Sequence, residues 1–287
     1  MLETAAMGSA EVVDTARYPL LEPGDRKWQE VVSGIRAELR RDGCCVLPDF
    51  IRADLLETLR HEGAQIAPDA YYTVETVNAY NIPLDADLPA RHPGRRRLQR
   101  GNAFVPRDRI PAQAVIQRLY GDPVFRRFVA DCFGLPDVHE LGDPLAGLCL
   151  NVVRPGMQHP WHFDTNEFTV SLLTQEAQAG GVFEYCPNIR SATDENFAAV
   201  AEVLDGNGTP RRLTLRPGDL QLFKGRFSLH RVTTVDGEVE RHTAIFAYSE
   251  RPGVVGSVAR TRQLFGRVLP EHLAAETARV RGDRLLD

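Results

Sequence analysis

The chain has 287 residues, 43% hydrophobic and 25% charged, with a formal net charge of -5. That balance fits one large soluble core and lacks the basic excess by which nucleic-acid binders hold phosphates. No apolar run reaches the ~20 residues of a membrane span. The first ten residues lack the basic flank and apolar stretch of a secretion signal. The five cysteines (Cys44, Cys45, Cys132, Cys149, Cys186) show no metal-type or disulfide spacing, so a cytoplasmic setting is expected.

Residues 1–25 read as an irregular arm. Trp28, Val31, Val32, Ile35 and Leu39 recur at helical spacing, and Gly43 closes that helix. Cys44 to Leu47 read as a short strand broken by Pro48, and Asp54 to His61 as a second helix with Leu55, Leu56 and Leu59 on one face. Residues 66–110 hold no sustained period. They contain Tyr71, Tyr72, Tyr80 and the basic run Arg91, Arg95, Arg96, Arg97 and Arg100, and read as a long functional loop or lid. Residues 111–134 predict two helices, the second starting near Asp122-Pro123.

After Pro136 the pattern changes to short apolar runs at 147–153, 168–174, 180–185, 212–215, 220–224, 227–233 and 242–248, separated mostly by Gly and Pro clusters. Strands at that spacing predict a double-sheet barrel or sandwich. Residues 194–205 read as an inserted helix and 270–285 as a terminal one.

The chemistry-bearing pattern is His162-Phe163-Asp164 followed by His230 and Arg241. Residues i and i+2 of a strand face the same side, so His162 and Asp164 point together while Phe163 faces away. His230 lies in another predicted strand. Two imidazoles and a carboxylate form the facial triad that suits non-haem Fe(II) and leaves positions open. Arg241, on the strand after, can grip a carboxylate through both guanidinium edges. An H-x-D triplet alone is weak, since chance supplies it readily; the joint pattern is the signal. His159, three residues before the first ligand, and Thr165, just after Asp164, are candidate substrate contacts. Asn151, on the strand entering the site, is a candidate support for a co-substrate. The arginine run reads mainly as a solvated face, with Arg100 the member chosen to close over a substrate carboxylate.

The segments 161–168 (WHFDTNEF), 180–187 (GGVFEYCP), 216–223 (RPGDLQLF), 228–233 (SLHRVT) and 241–248 (RHTAIFAY) resemble the Fe(II)/2-oxoglutarate-dependent oxygenases. Within that superfamily the chain most resembles the branch of bacterial free-amino-acid hydroxylases and radical amino-acid halogenases. The resemblance implies a mainly β fold with flanking helices (α+β). Its core would be a double-stranded β-helix, a cupin-like jelly roll, with N-terminal helices and a helical insertion. It implies one oxygenase domain, 1–287, divided into a mostly helical N-terminal region and lid (1–135), a jelly-roll core (136–250) and a C-terminal extension (251–287). It assigns His162, Asp164 and His230 to iron, Arg241 to the distal carboxylate of 2-oxoglutarate, and the last metal position to O2. Halogenases of this branch carry glycine where Asp164 stands, so hydroxylation of a small polar metabolite is expected, an amino acid or derivative of the kind used in natural product biosynthesis. Desaturation or cyclisation uses the same triad. A cupin-like iron enzyme without 2-oxoglutarate and a non-enzymatic barrel are the competing readings. The expected partner is a small molecule, with no nucleic acid or membrane; a homodimer is compatible with the sequence.

Overall fold

The computed structural model describes residues 8–275 and 285–286. After a single turn at Ser9–Val12, helix α1 (Arg26–Asp42) starts where the Asp25 side chain accepts from the Trp28 amide. It ends at Gly43, whose φ of 64° closes the helix in the left-handed conformation. Its buried face is Trp28, Val32, Ile35 and Leu39, as the sequence predicts. Strand β1 (Cys44–Leu47) and helix α2 (Leu56–Ile66) follow. Helices α3 (Val115–Gly121) and α4 (Pro123–Phe133) meet at Asp122, whose carboxylate caps α4 by accepting from the Val124 amide.

The expected lid region is organised differently. Strands β2 (Tyr71–Val77) and β3 (Leu98–Pro106) pair antiparallel and extend the main sheet, so the sheet core reaches well outside residues 136–250. The expectation of a long loop over 66–110 misses these two strands because β2 has one buried residue in seven, which erases its alternation. Residues 78–97, between these strands, dock on the back of the smaller sheet. Tyr80 packs there against Phe163 and Phe197, with ring centroids 5.5 and 6.1 Å apart.

The other strands of the two main sheets are β4 (Leu148–Val153), β5 (His159–His162), β6 (Thr169–Gln175), β7 (Phe183–Cys186), β8 (Arg211–Leu213), β9 (Leu220–Phe223), β10 (Leu229–Val232) and β11 (Arg241–Phe246). Helix α5 (Phe197–Leu204) is the predicted insertion. The larger sheet runs β1-β9-β6-β11-β4-β3-β2 and the smaller β8-β7-β10-β5, with every pairing antiparallel. This double-sheet arrangement is the expected jelly roll. One face of the larger sheet (Val105, Leu150, Val152, Val170, Leu172, Leu222, Ala244, Phe246) packs under α1 to α4 in the main core. The alternate residues, among them Asn151, Thr169, Ser171, Arg241 and Thr243, turn toward the smaller sheet. That polar inner face is where a site can form. Helix α6 (Val258–Phe265) lies against β3, and α7 (Pro270–Ala275) follows. The rest of the helix predicted for 270–285 lies outside the described residues, apart from 285–286. Among the described residues no helix is long and apolar enough to cross a membrane.

Candidate metal centre

His162 ends β5, and Asp164 sits two residues on, just past the strand. His230 is the direct cross-strand partner of His162, which brings distant parts of the chain together. The ring centroids are 4.0 Å apart. Among the described residues these three are the group whose donor atoms converge, all within 4.8 Å of one another. Phe163 faces away and is buried beneath the Arg190 guanidinium, whose Cζ lies 3.8 Å from its ring centre.

Each donor is oriented by a neighbour. His162 Nδ1 lies 2.8 Å from the Pro160 carbonyl and His230 Nδ1 2.9 Å from that of Ser228. A carbonyl only accepts, so each Nδ1 carries the proton and each Nε2 presents its lone pair inward. Asp164 Oδ1 lies 3.6 Å from His162 Nε2 and 3.4 Å from His230 Nε2. Such separations are long for hydrogen bonds and leave the three donors facing one another around a common point. The other oxygen, Oδ2, accepts from the Thr169 hydroxyl at 2.6 Å. The Asp164 amide donates to the Gly225 carbonyl at 3.1 Å. A Cβ at Gly225 would stand 1.9 Å from Asp164 Oδ2, so only glycine lets that backbone lie against the carboxylate.

The electrostatics match the donor set. Burial, reinforced by His230, lowers His162 to about 4, so it is a neutral ligand at neutral pH. Burial opposes ionisation of Asp164, but the two imidazoles outweigh it and hold the carboxyl well below the usual range. Two neutral imidazoles and one carboxylate on one face are the donors that Fe(II) takes while keeping positions open.

Arg241 is buried on the inner face of the larger sheet and donates to the Thr243 hydroxyl at 2.5 Å. Burial lowers it to about 10, so it remains charged and in want of an anion. A cavity of about 440 Å³ opens beside it, walled in part by Leu173, Gly181, Phe183 and Leu215. Phe183, one wall of this cavity, also stacks on His230, with ring centroids 5.5 Å apart. Asn151 is buried as the cross-strand partner of Thr243 and donates to the Ala103 carbonyl at 3.2 Å, and it is not among the residues that line this cavity.

The candidate substrate contacts divide. His159 stacks on His162 with centroids 3.9 Å apart and planes at 9°. Burial, then the positive groups around it, keeps its ring neutral. Arg100 is buried beside it, its Cζ 5.9 Å from the centre of the Phe104 ring, which in turn meets His159 edge-on. Of the rest of the basic run, Arg91, Arg95 and Arg97 are exposed and Arg96 pairs with Asp205. Thr165 is not brought to the site. It is exposed, because the chain leaves the strand after His162 and alternation no longer applies. Thr169 takes the place beside the carboxylate. Its signal was in the sequence: Thr169 and Ser171 alternate with Val170 and Leu172, a polar inner face on an apolar strand.

Jelly roll, facial triad and buried arginine together define a site of the 2-oxoglutarate- and Fe(II)-dependent oxygenase class. The chain belongs to the Halogenase D family, whose model matches residues 27–261. No curated protein matches it. Among solved structures it is similar to a Trichoplax adhaerens prolyl hydroxylase bound to a peptide of hypoxia inducible factor, at 16% identity and a TM-score of 0.51, covering 79% of this chain and 94% of that one. It is also similar to the epimerase SnoN in complex with Fe3+, alpha ketoglutarate and nogalamycin RO, at 15% identity and a TM-score of 0.52, covering 76% of this chain and 83% of that one. The carbocyclase SnoK from nogalamycin biosynthesis gives 13% identity and a TM-score of 0.51, covering 77% and 87%. These likenesses establish the shared fold.

Proposed function

We propose that the protein is an Fe(II)/2-oxoglutarate dioxygenase that hydroxylates an unactivated C–H bond of a small polar metabolite, a free amino acid or a derivative. When bound, the metal with 2-oxoglutarate and O2 supplies the oxidant: substrate, 2-oxoglutarate and O2 become hydroxylated substrate, succinate and CO2. His162, Asp164 and His230 would hold the metal on one face. Arg241, steadied by Thr243, would take the distal carboxylate of 2-oxoglutarate in the adjoining cavity, with Asn151, the cross-strand partner of Thr243, as a further candidate for the co-substrate. Arg100 and neutral His159, packed beside the triad, would bind the substrate carboxylate and so fix which C–H bond faces the metal.

The observation that carries hydroxylation is the state of Asp164. One oxygen faces both imidazoles while the other is tied to Thr169, so the carboxylate is committed to the metal position that a halide would need. The halogenation after which the family is named is therefore disfavoured here. The test is a panel of free amino acids incubated with Fe(II), 2-oxoglutarate, O2 and chloride. Substrate-stimulated succinate and a product heavier by about one oxygen atom are expected. A chlorinated product, or succinate release that no amino acid stimulates, would remove the proposal.

A further inference from the structure

Behind the metal centre lies a buried guanidinium that neither the triad nor Arg241 uses. Arg190 stands in the loop after β7 with its side chain fully shielded from solvent, a costly place for a cation unless its donors are met. Its Cζ lies 3.8 Å from the centre of the Phe163 ring, and Phe163 separates the ligands His162 and Asp164. Its Nε donates to the Arg226 carbonyl at 2.7 Å, and its backbone amide donates to the Phe227 carbonyl at 3.2 Å. Arg226 and Phe227 follow Gly225, whose carbonyl takes the Asp164 amide and whose missing side chain leaves room for the Asp164 carboxylate. The Arg226 guanidinium returns to the Thr165 carbonyl at 3.4 Å. Arg190 therefore touches both backbone segments that place Asp164. It reaches one through the Phe163 ring and the other, the 224–227 turn, through two hydrogen bonds.

The other end of the guanidinium meets a remote part of the chain. Nη1 donates to Glu195 Oε2 at 2.9 Å and to the Leu286 carbonyl at 3.1 Å. Glu195 Oε1 accepts from the Leu286 amide at 2.5 Å. One ion pair thus grips both main-chain groups of Leu286, whose side chain packs against the cluster that holds Tyr80, Phe163 and Val203. Arg190 Nη2 is buried and finds no acceptor among the described residues. With one donor already unmet, withdrawal of Leu286 would weaken a second. The guanidinium would relieve that cost by turning toward water, off the Phe163 ring and the Arg226 carbonyl. We propose that Arg190 is a positioning residue for Asp164, and that docking of Leu286 on the Arg190–Glu195 pair sets how firmly the triad holds its metal.

This inference rests on the reading of the triad as an iron site, and the experiment separates the two. Full-length protein is freed of metal, and its Fe(II) dissociation constant is measured by anaerobic equilibrium dialysis. The thermal midpoint of the metal-free protein is recorded beside it. Arg190→Lys keeps a charge for Glu195 and loses the fixed fork, so its Fe(II) dissociation constant should rise by about tenfold. Leu286→Pro removes the amide N–H that Glu195 holds. It should weaken Fe(II) binding by about threefold to tenfold, with the midpoint moved by only a few degrees. The two losses should not multiply in the double variant, since both pass through one guanidinium. Leu286→Pro leaves the buried core unchanged and decides the matter even if Arg190→Lys does not fold. Unchanged Fe(II) affinity in Leu286→Pro, or losses that multiply, overturns the inference, while Fe(II) binding by the wild-type chain leaves the iron site standing. A wild-type chain that binds no Fe(II) overturns both.

Discussion

Thr169 donates its hydroxyl to Asp164 Oδ2 at 2.6 Å and so decides which carboxylate oxygen faces the two imidazoles. Partners that orient a metal ligand are commonly worth about tenfold to a hundredfold in affinity. Thr169→Val keeps the shape and removes the donor. Its Fe(II) dissociation constant should rise by about tenfold, with the thermal midpoint changed by only a few degrees. An unaltered affinity by anaerobic equilibrium dialysis would mean that Oδ1 is positioned by the backbone alone.

Gly225→Ala attacks the same carboxylate from the other side. The added methyl would overlap Asp164 Oδ2 and displace it or the Lys224–Phe227 turn. We expect a larger loss of iron than for Thr169→Val, with the far-UV circular dichroism spectrum retained. Iron bound after reconstitution, counted per chain, distinguishes the two variants; equal retention of iron in both contradicts the packing argument.

Arg241 should act on the co-substrate and not on the metal. Arg241→Gln is expected to raise the dissociation constant for 2-oxoglutarate by about tenfold to a hundredfold, the scale of a lost charged hydrogen bond, and to leave Fe(II) binding unchanged. Arg241→Lys should recover only part of this, because an ammonium cannot grip a carboxylate through two edges. Full recovery with lysine would reduce the role of Arg241 to that of a point charge.

The metal-free protein should weaken in mild acid. His162 titrates near 4 in the fold, against an ordinary value of 6.5. As pH falls through 6.5 the unfolded chain takes up a proton that the folded chain refuses until about 4, so stability falls across that window. Over the full window this single residue contributes about 3 kcal/mol. Urea unfolding with a chelator present, at pH 7 and pH 5, should show the loss, and His162→Gln should lessen it. A pH-independent midpoint in the wild-type protein is the opposing result.

The main sheet elements were legible because Gly and Pro clusters punctuate short apolar runs, and the triad because His162, Asp164 and His230 carry unusual chemistry inside apolar strands. Strands β2 and β3 were not, since β2 has one buried residue in seven. Thr165 reads as a contact because alternation is extended past His162, where the strand ends. Phe163, Arg190 and Leu286 meet only through long-range contacts, and no local pattern marks them.

The central claim is that Asp164 completes an oxygenase triad. The direct measurement is mass analysis of the product formed under 18O2 in the presence of chloride, with succinate counted in parallel. We predict one labelled oxygen in the substrate product, a near-equal amount of succinate, and loss of both in Asp164→Ala and His230→Ala. A chlorinated product, an unlabelled one, or full turnover and iron content in those two variants would contradict the account.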